Sequence, residues 1–229
     1  MRILGLETSS LYGSIAAADD SELLLSQPLT RERRTAQSLA PAVAQLLREL
    51  KWKASDLDVV AVTAGPGSFT GLRIGVTTAK TLAFAAEARL IGVDTLAALA
   101  EAANHEVAVG EAILPLIDAH RNQLFTARYR KQADGSLLAE TPVEIIEIDQ
   151  WLAGEVPAAV LTGPLLRKIG SEVQEAWPSA KRCPESLWTP SATAVVLIAQ
   201  RKAVTGEFDD AFKLLPQYYR PSYAEEKRR

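Results

Sequence analysis

Two short segments of the chain carry residue types that could bind a phosphate group. The first spans residues 63–75 and contains Gly65, Gly67 and Gly71, between a buried strand pattern and a long helix pattern. Backbone N–H groups at the start of a helix bind anions, and glycines let another backbone approach closely. The same segment also fits a tight turn in which Pro66 fixes the backbone. The spacing of its glycines matches neither the Walker loop nor the dinucleotide-binding pattern. The phosphate-binding interpretation and the tight-turn interpretation therefore both stay open.

The second segment follows the first predicted strand and contains Glu7, Ser9, Ser10 and Gly13. Hydroxyl groups and a glycine turn at a strand end could hold a nucleotide phosphate. The alternative is an ordinary polar strand end. A convergent nucleotide site would need a matching loop from the second half of the chain, where Gly163 followed by a proline is the candidate.

The chain has two histidines and one cysteine, which limits its acid–base and thiol chemistry. His120 could act as a general base paired with Asp118. We favour a turn at the start of a hairpin instead, because the sequence shows no nucleophile or third orienting group nearby. His105 lies at a predicted helix end, and Cys183 has no base near it in sequence. No catalytic residue and no metal ligand is predicted.

The composition is that of a globular protein with an acidic balance. The 229 residues are 48% hydrophobic and 23% charged, with a net charge of −3, which argues against an autonomous nucleic-acid binder. Arg31, Arg33 and Arg34 could contact the phosphates of a nucleic acid, but Glu32 interrupts them and a solvated loop is favoured. The sequence shows no signal peptide and no apolar run long enough for a membrane span, so a cytoplasmic protein without membrane contact is expected.

Hydrophobic periodicity predicts two similar α/β halves. The first half reads β-β-β-α-β-α-β-α, with strands at 3–7, 14–18, 23–26, 57–62 and 90–93 and helices at 39–50, 70–88 and 96–104. The second half begins again with strands at 112–117, 123–130, 137–146 and 158–162. Its predicted helices are a short one around residue 151, a second that ends at residue 169, and a third at 192–205.

This repetition predicts an α/β protein with a duplicated β-β-β-α-β-α architecture and a mixed sheet in each half, as in the actin-like ATPase (ASKHA) fold. Such folds hold nucleotide between the halves. The boundary falls near Gly110, so the predicted units are residues 1–106 and 107–229.

The second predicted helix carries a stripe of small residues at four-residue spacing, namely Gly71, Gly75, Ala79 and Ala83. Glycine within a helix costs about 1 kcal/mol relative to alanine, so a packing reason is expected. The stripe could pack on the chain's own sheet, or it could let a partner's helix approach closely.

Five segments resemble, in order and spacing, the TsaB (YeaZ) family. They are 3–9 (ILGLETS), 64–76 (AGPGSFTGLRIGV), 79–80 (AK), 118–122 (DAHRN) and 216–220 (PQYYR). The resemblance covers essentially the whole chain and is strongest in the first half. It implies the actin-like fold and a role in forming N6-threonylcarbamoyladenosine at position 37 of tRNAs that read ANN codons.

The resemblance also implies partners. TsaB-like chains are non-catalytic and pair through their first-half helices with the paralogue TsaD or with themselves, act together with the ATPase TsaE, and meet tRNA through the complex. This favours the small-residue stripe as a partner interface. No cofactor is expected. ATP would be the alternative, with Glu7 reaching a nucleotide-bound metal through water.

The resemblance implies that the paralogue TsaD is the catalytic subunit. TsaD-like chains carry a His-x-x-x-His pair that can ligate a metal. Asp94 and Ala98 stand at the corresponding positions here. Because neither of these residues is a histidine, the sequence argues against a metallopeptidase. An independent ATP-binding enzyme stays open as the second hypothesis.

Overall fold

The computed structural model describes residues 1–11, 13–30 and 35–219. The arginine cluster at 31–34 and the last residue of the 216–220 motif lie outside the described residues. In the first half the strands are β1 (Arg2–Glu7), β2 (Ser14–Asp19), β3 (Glu22–Pro28), β4 (Val59–Gly65) and β5 (Arg89–Asp94). The first-half helices are α1 (Thr35–Glu49), α2 (Phe69–Ala86) and α3 (Thr95–Ala102). All eight predicted elements of this half are present.

In the second half the strands are β6 (Ala112–His120), β7 (Gln123–Thr126), β8 (Tyr129–Lys131), β9 (Leu137–Ala139), β10 (Glu144–Glu147) and β11 (Val160–Thr162). The helices are α4 (Ile148–Leu152), α5 (Leu166–Ala176) and α6 (Ala192–Val204). Helix α5 continues seven residues beyond the predicted end, because Leu166, Ile169 and Val173 form one buried face across Gly170.

The predicted strand at 123–130 is two strands, and so is the one at 137–146. β8 pairs with β6 at Ala112 and Ile113, and β7 pairs with β6 from Leu116 to His120, with a register shift between Asp118 and His120. Pro115, which has no N–H to donate, lies between the two paired stretches. β9 pairs with β8, and β10 pairs with β7. Alternating hydrophobicity within residues 123–130 does not indicate where this strand divides, because the proline lies in the partner strand β6.

Each half contains a mixed sheet. The first has the order β3-β2-β1-β4-β5, with β1, β4 and β5 parallel to one another. The second has the order β10-β7-β6-β8-β9, and β11 adds to β6 in parallel. This confirms the predicted α/β class with two mixed sheets.

The buried residues divide into layers. Helices α1 and α2 cover one face of the first sheet, and α3 and α6 cover the other. Helix α3 also packs on the second sheet, whose far face is covered by α4 and α5. Residues 192–204 therefore lie against the first sheet although they follow the second in sequence. The division at 106 and 107 stays a prediction.

Candidate functional site

Three parallel strands of the first sheet end at one edge, at Glu7, Gly65 and Asp94. In open α/β sheets, ligands bind in the crevice outside the carboxyl ends of parallel strands. This edge is therefore the place where the chain could hold a small molecule. Two of its three residues carry carboxyl groups, and both are engaged by the chain itself.

The Glu7 side chain lies fully buried under the loop that follows β1. Its Oε1 accepts hydrogen bonds from the Ser9 backbone N–H at 2.7 Å and the Ser9 hydroxyl at 2.5 Å, and its Oε2 accepts from the Ser10 hydroxyl at 3.0 Å. Burial raises the pKa of Glu7 to about 7, against the opposing effect of these hydrogen bonds. The structure thus brings Glu7, Ser9 and Ser10 together, with the hydroxyl groups directed at the carboxyl.

Gly13 closes the same loop. A Cβ at this position would lie 2.6 Å from the Glu7 carbonyl oxygen, so the chain needs a glycine here for close packing. Its carbonyl accepts a hydrogen bond from the Leu29 N–H at 2.7 Å. All four residues of the predicted phosphate segment are therefore neighbours.

The glycine-rich segment packs directly onto this loop. The Ser68 N–H donates to the Ser9 carbonyl at 2.7 Å, and a Cβ at Gly67 would lie 2.5 Å from the same oxygen. Ser68 also caps α2, since its hydroxyl accepts from the Gly71 N–H at 3.3 Å. These contacts favour the tight-turn interpretation of the segment.

The residues of the predicted nucleotide site are engaged by contacts within the chain. The Ser9 and Ser10 hydroxyls donate to Glu7, and the Ser9 carbonyl lies directly beside Gly67. The second-half candidate is also filled, because a Cβ at Gly163 would lie 2.3 Å from the Leu116 carbonyl oxygen. ATP binding at Glu7 stays a prediction that these contacts do not support.

Asp94, at the end of β5, connects the two sheets and the C-terminal segment. Its Oδ1 accepts from the backbone N–H groups of Leu96 and Ala97 at 2.8 and 3.0 Å, which caps α3. The Tyr129 hydroxyl lies 3.3 Å from Oδ1, and the Tyr219 hydroxyl 3.2 Å from Oδ2. The carboxylate is thus surrounded by four donors from three parts of the chain.

Burial sets the protonation behaviour of this cluster. It raises the pKa of Asp94, and it raises the pKa of Tyr219 to about 12, with the Asp94 charge acting in the same direction. Both tyrosines therefore stay protonated and can donate. Sequence reasoning identified Asp94 only as a replaced histidine. The available signal was a carboxyl directly between a strand and a helix, as at an N-cap.

His120 lies in a hairpin turn, and Cys183 lies in the core. The backbone N–H of His120 donates to the Asp118 carboxylate at 2.7 Å. Residues 120–122 all have positive φ, as in a tight hairpin turn. The Asp118 carboxylate also pairs with Lys168 at 3.2 Å. Cys183 is buried between α3 and the second sheet. The described residues contain no group of three or more potential metal ligands.

The small-residue stripe of α2 faces inward, which corrects its prediction as a partner interface. Gly71, Gly75, Ala79 and Ala83 are all buried against the first sheet. A Cβ at Gly71 would lie 2.0 Å from the Thr8 carbonyl oxygen, so the glycines allow α2 to approach β1. The stripe therefore serves the chain's own packing, and residues on the opposite face of α2 are the ones available to a partner.

That opposite face is partly aromatic. Phe69, Arg73, Thr77 and Phe84 are exposed along α2, with Phe84 75% exposed. The Arg73 guanidinium stacks 3.9 Å from the Phe69 ring centre. Among the described residues, no helix is both long and apolar enough to span a membrane.

Two mixed sheets with helices between them and on both outer faces define the actin-like class of α/β proteins. The (R)-2-hydroxyglutaryl-CoA dehydratase component A of Acidaminococcus fermentans shares this fold, with a TM-score of 0.53 at 11% identity over 89% of this chain and 99% of that one. YeaZ from Pseudomonas aeruginosa is much more similar, with a TM-score of 0.78 at 27% identity over 95% of this chain and 99% of that chain.

Sequence comparisons agree. Residues 26–160 match the family model described as TsaD, tRNA N6-adenosine threonylcarbamoyltransferase. The tRNA threonylcarbamoyladenosine biosynthesis protein TsaB of Escherichia coli is 33% identical over 68% of this chain and 69% of that protein. TsaB of Bacillus subtilis is 32% identical over 66% of this chain and 65% of that protein. The match thus spans about two thirds of these relatives' length. The chain belongs to the TsaB (YeaZ) family.

Proposed function

We propose that this chain is a non-catalytic partner subunit in the formation of N6-threonylcarbamoyladenosine at position 37 of tRNAs reading ANN codons. Its partner would be a TsaD-like subunit, with TsaE joining the pair and tRNA reached through the complex. The names of the relatives, which refer to tRNA threonylcarbamoyladenosine biosynthesis, support this pathway.

The observation that carries the non-catalytic role is the environment of Asp94 and Ala98. These residues stand where the resemblance puts the histidine pair of the catalytic paralogue. The Asp94 carboxylate is engaged by four donors of this chain, and Ala98 is buried with no exposed surface. The contribution of both positions to packing and helix capping supports a non-catalytic role.

The exposed face of α2 is the surface that we assign to the partner. It presents Phe69 and Phe84, with Arg73 and Thr77 between them, on one side of the helix. Aromatic and arginine side chains are enriched at the centres of protein interfaces. The same face would serve a homodimer when no TsaD-like partner is present.

The test of the role is reconstitution. Threonylcarbamoyl transfer to tRNA would be measured by mass spectrometry of modified adenosine, with TsaC, TsaD and TsaE present and with this chain added or omitted. We expect product only when both this chain and TsaD are present. Product from this chain without TsaD would contradict a non-catalytic role, and full activity without this chain would contradict a required one.

The test of the surface compares two exposed phenylalanines. Phe84→Asp should weaken association with the TsaD-like subunit, or self-association, by at least about tenfold, because it places a charge in an apolar contact. Phe212→Asp is the matched control, since Phe212 is 85% exposed and belongs to the segment after α6 rather than to α2. Light scattering on both variants reports the effect. Equal association of the two variants would exclude the α2 face.

A further inference from the structure

The last described residues, 214–219, cross the carboxyl ends of β4 and β5, and we call them the C-terminal strap. The strap begins at Leu214, which is buried against Gly92 of β5. A Cβ on Gly92 would lie 2.8 Å from a Leu214 methyl carbon. The Leu214 carbonyl accepts a hydrogen bond from the Lys80 ammonium group at 3.1 Å. One end of the strap is thus fixed in the core.

The middle of the strap lies on the end of β4. The Gln217 N–H donates to the Ala64 carbonyl at 2.7 Å. The Gln217 carbonyl oxygen occupies the space beside Gly65, where a Cβ would lie 2.5 Å from it. Gly65 has a φ of +134°, so this position also favours glycine by its backbone conformation. The backbone of the strap therefore covers the strand end directly.

The two tyrosines of the strap contact opposite sides. Tyr219 turns toward the crevice, with its hydroxyl between two acceptors, Asp94 Oδ2 at 3.2 Å and Gln217 Oε1 of the strap itself at 2.8 Å. Its ring lies 6.1 Å from the Phe125 ring of β7. Tyr218 turns outward, where its hydroxyl accepts from Arg73 Nε at 2.9 Å and its ring lies 4.9 Å from Phe69. Tyr219, the inner of the two tyrosines, therefore contacts the carboxylate of Asp94.

We infer that the strap occupies the place of a ligand at the carboxyl ends of β4 and β5, and that the hydrogen bond between Tyr219 and Asp94 holds it there. The strap and a ligand at this edge are then mutually exclusive, because the Gln217 backbone and a bound group would need the same space beside Gly65. The inference goes beyond the proposed function and does not depend on it.

Hydrogen exchange of the full-length chain tests how the strap is held. Tyr219→Phe removes one hydroxyl and keeps the ring, and Asp94→Asn keeps a residue that caps helices well. We expect amide exchange in residues 214–219 to accelerate about tenfold or more in each variant, since a hydrogen bond to a charged group is lost. Unchanged exchange in residues 95–102 would show that α3 stays folded.

Tyr218→Phe is the matched control, because it removes the corresponding hydroxyl from the tyrosine on the outer, solvent-facing side of the strap. We expect less than a twofold change in strap exchange for this variant. If Tyr219→Phe behaves like Tyr218→Phe while residues 95–102 remain protected, the holding role of the Asp94 contact is overturned.

Millimolar Mg·ATP serves as the probe for mutual exclusion in the wild-type chain. The inference is supported if ATP slows exchange at residues 63–68 while the strap becomes faster, or if it slows exchange there in Tyr219→Phe and not in the wild-type chain. Unchanged exchange at residues 63–68 in both chains would overturn the assignment of this edge to a ligand. Slower exchange at residues 63–68 with an equally slow strap would mean that both are bound together, which would overturn the inference.

Discussion

The side chain of Thr8 occupies the space beside Gly75. A Cβ built on Gly75 would lie 2.0 Å from Thr8 Oγ1 and 3.1 Å from Thr8 Cβ. Thr8 is a β-branched residue with no exposed surface, directly after β1, so it cannot rotate away without disturbing the loop that carries Ser9. The contact shows why α2 contains glycine at this position although glycine weakens helices.

Gly75→Ala should therefore destabilise the chain by about 1–3 kcal/mol, because the overpacking cost exceeds the gain in helix propensity. Gly170→Ala in α5 is the matched control, since the nearest atom to its added Cβ would be 3.9 Å away. We expect the control to be neutral or to stabilise by up to about 1 kcal/mol. Urea unfolding of both variants gives the comparison, and equal stabilities would contradict the close packing of α2 on Thr8.

Glu7 should make the stability of the chain depend on pH. Because burial raises its pKa from 4.5 to about 7, the folded chain holds a proton that the unfolded chain has released between these values. Its stabilising contribution is fully present below pH 4.5 and is lost as the pH rises through 7. The shift corresponds to about 3 kcal/mol at most.

Glu7→Gln should remove this dependence. The amide oxygen can keep the hydrogen bonds from Ser9, and the amide N–H₂ group can donate to the Ser10 hydroxyl. We expect the variant to be more stable than the wild-type chain at pH 8 and similar to it at pH 4, as measured by urea unfolding. Glu175→Gln, at an exposed position of α5, should leave the pH profile unchanged. A flat wild-type profile between pH 5 and 7 would contradict the buried proton.

Cys183 should be unreactive in the folded chain. Its side chain is 4% exposed, and burial raises the pKa of the thiol. We expect an aromatic disulfide reagent at pH 8 to modify it at least about a hundredfold more slowly than in denaturant, since reaction requires local opening. Ser171→Cys, placed in a Cys183→Ala chain, supplies an exposed thiol as the control. Similar rates for the two thiols would show that Cys183 is accessible.

Arg201 and Glu101 should couple α6 to α3. Two N–H groups of the Arg201 guanidinium contact the two Glu101 oxygens at 3.2 and 2.5 Å, and the Glu101 side chain is only 6% exposed. Arg201→Ala should cost about 1–3 kcal/mol of unfolding free energy, because it leaves a buried carboxylate without its charged partner.

The control for this pair is Lys168→Ala. Lys168 pairs with Asp118 at 3.2 Å but is 60% exposed, and exposed pairs contribute between about 0 and 1 kcal/mol. Thermal or urea unfolding distinguishes the two substitutions. A cost for Arg201→Ala no larger than that for Lys168→Ala would mean that the α3–α6 pair adds nothing beyond a surface contact.

The sequence by itself determined the element order of the first half and the α/β class, because apolar spacing directly reflects which side of each strand and helix is buried. Its motifs also determined the family. It identified Glu7 and the glycine-rich segment as two strand ends with polar or glycine residues, but the contact between them comes from the structure.

Only the tertiary structure decided which side of α2 faces inward and which residues close the crevice. Helical spacing gives a stripe of glycine and alanine but not its partner, and that partner is Thr8, in a loop 63 residues before Gly71 in the chain. The contact between Tyr219 and Asp94 joins residues 125 positions apart. Local patterns cannot predict such pairs, because they depend on how α3, the second sheet and the strap meet in space.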